Sequence, residues 1–231
     1  MNSKYLKYAL GEIILVVIGI LIALSINNWN EERKDRSFER NILSEIKVAL
    51  DNDINYTQRN IKRLESLDSA IDVMLYLIEQ KADFIDSLYN QDQRRSYMLA
   101  TGIIYQYNQG PFEALKSNGL DKIENDSLRN SLIYLYDFDF PRHKEFIQYY
   151  DQDYKEQIDR WFGFQGEPFI ENINGERFIR QKFPKDLLQN SDFLYLLNEM
   201  RSRARIELNS FKNFIPRLKS IQRLITNELN S

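Results

Sequence analysis

The chain of 231 residues contains no cysteine and a single histidine, His143. Without cysteine there are no disulfides and no thiolate metal sites, a composition that suits an oxidising compartment without requiring one. One histidine cannot build the paired Glu-x-x-His motifs of a di-iron bundle. Arg142 and Lys144 flank it, so it reads as a surface or packing residue rather than a metal ligand. No Gly-x-Ser-x-Gly elbow, Walker A loop or dinucleotide fingerprint is present. Lys and Arg number 31 against 34 Asp and Glu, a net charge of −3, with no clustered basic face of the kind nucleic acid requires. Glycine and proline are scarce, at 8 and 5, and neither occurs in the 82 residues between Gly19 and Gly102. Helix breakers are thus missing from more than a third of the chain.

What is present begins with one apolar stretch, Gly11 to Trp29. From Ile13 to Ile26 only Ser25 is polar, and Glu12 is the only ionisable residue between Tyr8 and Trp29. As a helix the 22 residues from Tyr8 to Trp29 span roughly 33 Å, enough for a hydrocarbon core of about 30 Å. A single segment cannot close a barrel, so a transmembrane helix is the expected form. Trp29 at one end, with Tyr5 and Tyr8 at the other, reads as an interfacial aromatic belt. The alternative is a cleaved signal peptide, with Lys4 and Lys7 as its basic region and Ala23-Leu24-Ser25 at the cleavage site. The apolar run continues through that site without a polar region, which favours an uncleaved anchor. Arg33, Lys34, Arg36 and Arg40 on one side nearly balance Lys4, Lys7 and the amino terminus on the other. A short basic tail before an apolar helix behaves as a signal anchor, so the N-terminus is expected in the cytoplasm and the C-terminal domain in the periplasm, with the anchor in the inner membrane.

The segment from Lys7 to Glu31, Lys-Tyr-x-x-Gly-Glu-Ile-Ile-Leu-Val-Val-Ile-Gly-Ile-Leu-Ile-Ala-Leu-x-Ile-Asn-Asn-Trp-Asn-Glu, resembles the N-terminal signature of an uncharacterised bacterial family of single-pass membrane proteins with helical C-terminal regions. Phe112-Glu113-Ala114-Leu115-Lys116-Ser117-Asn118-Gly119 is similar to a recurrent segment of that family. The resemblance implies a membrane location and supplies no activity.

Within the anchor, Glu12, Gly19, Ala23 and Asn27 share one helical face, and Gly19-x-x-x-Ala23 is a small-xxx-small pair that lets another helix approach closely. This is the candidate packing face, for a second copy or another membrane protein. The competing reading is chance, small residues being common in such helices. Beyond it, Leu43, Ile46, Leu50, Ile54, Thr57, Ile61, Leu64, Leu67, Ile71, Met74 and Ile78 recur at spacings of three and four. They predict a long helix from about Asn30 to Lys81 with one buried stripe of coiled-coil type. Asp51-Asn52-Asp53-Ile54-Asn55 imitates the start of a calcium loop, but Tyr56 and Lys62 occupy the glycine and glutamate positions, so these side chains read as the solvated face of that helix.

Further on, a helix is expected around Arg94 to Tyr107. Gly110-Pro111 should open a short helix closed by Asn118-Gly119, and Asn125 or Asp126 should cap the next. Pro141 should kink or split that helix between Leu128, Leu132 and Leu135 and a second part lined by Phe146, Tyr150, Tyr154, Ile158 and Trp161. About residues 163–190 the pattern breaks. Asn174-Gly175 is a two-residue hairpin signal, but the flanking alternation is poor and a plain loop or short helices are expected instead. A final helix should be capped by Ser191 or Asp192, carry Phe193, Leu197, Met200, Ala204, Leu208, Phe211, Ile215, Leu218 and Ile225 inward, and bend at Pro216. The aromatics Tyr134, Tyr136, Phe138, Phe140, Tyr149, Tyr150 and Tyr154 read first as core, second as a ligand surface.

The expected fold class is all-α, an anchor at 1–29 followed by an elongated antiparallel helical bundle at 30–231. No catalytic residue, metal site, cofactor, nucleic-acid partner or small-molecule ligand is identifiable. The expected function is therefore a non-enzymatic binding, scaffolding, accessory or sensory protein of the cell envelope, in contact with the lipid bilayer and with a second copy or membrane partner. The alternative is a hydrolase working with carboxylates alone. A chain lacking residues 1–30 should give a helix-dominated circular dichroism spectrum, and a strand-dominated one would overturn the all-α reading.

Overall fold

The computed structural model describes residues 3–81, 99, 102–164, 166, 168–181 and 184–230. Helix α1 runs without interruption over Ser3–Glu79, about 115 Å at 1.5 Å per residue. The long helix expected from Asn30 is thus one rod with the apolar stretch. Its side chains meet two environments in succession. From Gly11 to Trp29 every residue is exposed, Ile13, Leu15 and Ile22 at 60%, 74% and 55%. Phe38 and Glu39 begin the packed body. From Leu43 onward the predicted stripe is buried, with Ile46, Leu50 and Ile71 at 0% exposure, except Ile61 and Ile78, which are half-buried.

The stripe is covered chiefly by α6 (Ser191–Asn230), which runs antiparallel to α1. Ion pairs and hydrogen bonds fix the direction. Arg201 and Arg205 of α6 bond Asp68, Lys212 bonds Glu65 at 2.7 Å, Gln222 bonds Asp51, and Arg40 reaches the carbonyl of Leu229. The inward face of α6 is Phe193, Leu196, Leu197, Met200, Ala204, Leu208, Phe211, Leu218, Ile221 and Ile225; Ile215 is only half-buried. Its cap is Asn190 rather than Ser191 or Asp192, because the Asn190 Oδ1 accepts the backbone N–H groups of Asp192 and Phe193 at 2.8 and 3.2 Å.

Shorter elements fill the flank of this pair. Helix α2 (Gly110–Asn118) opens on Pro111 and ends at Gly119, whose φ of +112° and N–H bond to the Leu115 carbonyl at 3.0 Å close it as expected. Asn125 caps α3 (Asp126–Tyr134) by accepting the Leu128 N–H at 3.1 Å. A π-turn, Leu135–Asp139, then leads into α4 (Phe140–Asp151). Proline at 141 has no N–H, and the wider turn, with the Phe140 N–H bonded to the Leu135 carbonyl, carries the helix past it. Expected to kink or split at Pro141, the helix does not split there; the chain turns at Gln152 and Asp153, before α5 (Tyr154–Gly163). The inserted residue of the π-turn also rotates the buried face, so Phe140, His143 and Ile147 point inward and Phe146 is 39% exposed.

Two expectations about loops are corrected. Segment 102–109 has no helix; the part of the proposed 94–107 helix before it, Leu99 apart, lies outside the described residues. The 102–109 segment lies against α1, bonded to Asp53, Tyr56 and Asn60, with Ile103 and Tyr105 buried and Ile104 exposed between them. Gly102 is required there, since a Cβ would stand 2.6 Å from the Tyr154 ring. The second correction is a hairpin, β1 (Pro168–Ile173) against β2 (Glu176–Gln181), in place of plain loop. Asn174 and Gly175 both have positive φ, +54° and +90°, the backbone of a type I′ turn, and the Asn172 side chain accepts the Gly175 N–H. The Ile170–Ile179 pair is 71% and 80% exposed, so the alternation that marks a half-buried strand is missing. The molecule is mostly helical with this one short sheet among the described residues.

Replacing Leu50 by Ala should cost about 2–5 kcal/mol in urea unfolding of the full chain in detergent. Val48→Ala, on the opposite face at 57% exposure, should stay within about 0.5 kcal/mol. Equal effects would mean that the stripe is not the core.

Candidate functional site

The face named from the sequence lies on the exposed part of α1. Glu12, Gly19, Ala23 and Asn27 are all exposed on α1, and a Cβ built on Gly19 meets nothing within 4 Å. Ser25, the one hydroxyl of the apolar run, bonds back to the Leu21 carbonyl at 2.8 Å, so it adds no unsatisfied group to that surface.

The body holds a second arrangement that sequence reading missed. On α6 the buried stripe contains two charges, Arg203 at 4% exposure and Glu207 at 0%. One turn apart, they meet on the same side as Ala204 and Leu208, with Arg203 Nη1 3.3 Å from both Glu207 oxygens. The same nitrogen donates to Asp151 of α4 at 3.4 Å, and Nε donates to Gln157 of α5 at 3.2 Å. The guanidinium also stands over the Tyr154 ring, 5.0 Å from its centroid. Nη2, though buried, has no partner. Burial pushes Glu207 up to about 7, with Arg203 opposing; burial raises Asp151 as well, again against Arg203.

This cluster underlies a groove of about 460 Å³ between α5 and α6. Asp153, Glu156, Gln157 and Arg160 line one side, Asn198, Glu199, Ser202, Arg203 and Ile206 the other, with Tyr150 at the α4 end. Arg160 bridges it to Glu199 at 2.6 Å. Asp151 and Glu207 are not among its lining residues.

A third polar node secures the 102–109 segment. Asp53, placed on the solvated face by the sequence, is buried at 7%, and both its oxygens accept the Asn108 N–H at 3.2 Å. Tyr56 and Asn60 donate to the Ile104 carbonyl. Burial raises Asp53 to about 6, opposed by the Asn108 bond. Beside it the hydroxyls of Tyr105 and Tyr136 are enclosed without partners. His143 is a packing residue, stacked on Phe214 at 4.3 Å and edge-on to Tyr105 at 4.8 Å, with Nδ1 3.2 Å from the Ser210 hydroxyl. Burial lowers its pKa to about 4, so the ring is neutral. The aromatic cluster divides: Tyr136 and Phe140 are core, while Tyr134, Phe138 and Tyr149 are exposed. Among the described residues no group of three His, Cys, Asp or Glu could hold a metal ion.

The missed charges were findable. Arg203 and Glu207 sit at i, i+4 inside the apolar stripe of α6, and Asp53 sits between Leu50 and Thr57 on that of α1. A helical wheel puts each of them on the apolar face, though it does not show what packs over it.

Stability should follow Glu207 in a defined sense. Its folded pKa lies above the ordinary value, so its contribution is complete below about 4.5 and is lost as pH rises toward 7. His143 acts oppositely, losing stability as pH falls from 6.5 to about 4. Asp53, raised to about 6, loses its own contribution as pH rises from 3.8, so Glu207→Gln should shrink the loss in denaturation profiles chiefly between pH 6 and 7; an unaltered profile would place the titration elsewhere.

The profile of a family of unknown function (DUF6090) matches residues 12–201. No curated protein and no solved structure matches.

Proposed function

The chain belongs to that family of unknown function, and we propose that it is a single-pass, non-enzymatic binding or scaffolding protein of the bacterial envelope, an accessory or sensory partner of a membrane complex. The observation that carries this reading is the continuity of α1. One helix holds both the all-round apolar, fully exposed stretch and the buried stripe of the body, and it is long and apolar enough to cross a membrane. The body is then an elongated helical bundle on a stiff stalk. The groove between α5 and α6 lies beside Asp68 of α1, roughly 60 Å along the helix from Trp29. Signal-anchor behaviour puts the short N-terminal tail in the cytoplasm and the body in the periplasm. A signal would pass through a partner on the Glu12, Gly19, Ala23 and Asn27 face, where small residues let another helix approach closely.

Carboxylate hydrolysis is the weaker reading. Its acid and base must touch substrate, yet Asp151 and Glu207, the carboxyls raised by burial beside the groove, bond Arg203 and lie outside its lining.

The protein should resist extraction by alkaline carbonate, and a reporter fluorescent only in the cytoplasm, fused after Ser231, should stay dark. Release by carbonate would remove the anchor; bright fluorescence would reverse the orientation. In-membrane crosslinking should capture a second copy or a membrane protein and weaken in a Gly19→Ile, Ala23→Ile variant. Identical behaviour of the two would make this face ordinary lipid-facing helix.

A further inference from the structure

The groove between α5 and α6 has a wall chemistry that narrows its occupant. Arg203 lines it with 4% exposure, and its Nη2 is buried without an acceptor. A guanidinium N–H so placed forgoes a charge-assisted bond, and an occupant's oxygen would supply it once a small shift of the side chain opened Nη2 to the groove. The remaining charges have the opposite sign. Arg160 neutralises Glu199, which leaves Asp153 and Glu156 exposed on the α5 side. A simple anion that reached Arg203 would face these two carboxylates. A simple cation would suit them and leave Nη2 as it is.

A molecule with a carboxylate at one end and an ammonium at the other meets both demands. We propose that this groove binds an amino-acid-type zwitterion, a free amino acid or short peptide, with its carboxylate on Arg203 and its ammonium between Asp153 and Glu156. The volume of about 460 Å³ falls within the roughly 300–1,000 Å³ of small-molecule sites. Tyr150 and Ile206 offer apolar surface to a side chain, and Ser202 and Asn198 offer hydrogen bonds to a peptide group. The variable charge of Glu207 behind Arg203 would let the cluster adjust to an incoming carboxylate. The proposal rests on the binding-protein reading above and gives it a ligand class.

Isothermal titration of the full chain in detergent at pH 7.5 tests it, with glycine and alanyl-alanine as zwitterions and acetate and ethylammonium as their separate halves. A saturable signal is expected from at least one zwitterion and from neither half. Asp153→Asn with Glu156→Gln, both at exposed positions, should weaken binding about tenfold, equivalent to about 1.4 kcal/mol. Ser202→Trp, also exposed, should fill the groove and abolish binding. Arg203→Lys should abolish it too, with unfolding midpoints showing whether the fold is kept; the two exposed variants decide the question if it is not. Acetate or ethylammonium binding as tightly as the zwitterions would overturn the proposal, as would binding indifferent to the exposed variants, or no signal from any probe. Silence in the titration with retention in carbonate-washed membranes would overturn the zwitterion site alone; release from membranes with binding intact would overturn the anchor alone.

Discussion

A helix satisfies its own backbone in any solvent, and the architecture depends on that property. Helix α1 keeps one hydrogen-bonded ladder from Ser3 to Glu79 while its side chains change from apolar on all sides to apolar on one stripe. No glycine or proline after Gly19 interrupts it. Position along α1 is thus nearly rigid, and every element that packs on it inherits a fixed height. Helix α6 takes the opposite direction, held by Arg201, Arg205 and Lys212 on Asp68 and Glu65. Those exposed or half-exposed pairs each contribute little energy. The apolar stripes supply the stabilisation, and the charges select the register in which they meet.

The polar groups inside the body have a different character. Enclosing Arg203 and Glu207 costs desolvation that their bonds, at 3.2–3.4 Å, repay only in part. An apolar pair of similar volume would pack there at less cost, so the cluster is poorly explained by stability alone. It joins α4, α5 and α6 at one point and borders the groove. Asp53 has a plainer task. It ties a segment without secondary structure to the long helix by accepting the Asn108 N–H with both oxygens. Both sites keep a carboxyl in a poorly solvated place, and both therefore titrate above the ordinary carboxylate range.

Local chemistry made much of this legible in the residues. The α1 stripe, the Pro111 start and Gly119 stop of α2, and the Asn125 cap each depend on neighbours within one or two turns. Errors arose where the deciding partner was distant or the local signal was divided. Asn174-Gly175 is the correct turn for a hairpin, yet Ile170 and Ile179 face solvent, so no alternation supported it. Pro141 ordinarily breaks a helix, but the π-turn ahead of it removed the clash and rotated Phe146 outward in favour of Ile147. The cap proved to be Asn190, one residue before the expected Ser191 or Asp192, a shift that only backbone geometry decides.

The sequence by itself determined the exposed apolar rod, the long unbroken helix, the inward stripes and the lack of metal-binding and nucleophile motifs, because each follows from residue type at helical spacing. Tertiary structure alone decided that Arg203, Asp151 and Gln157, from three helices, converge beside a groove, and that Asp53 turns inward to an amide 55 positions away. Periodicity reports which face of a helix is apolar. Which charges are drawn beneath that face depends on what packs over it, and that is set by contacts between residues far apart in the chain.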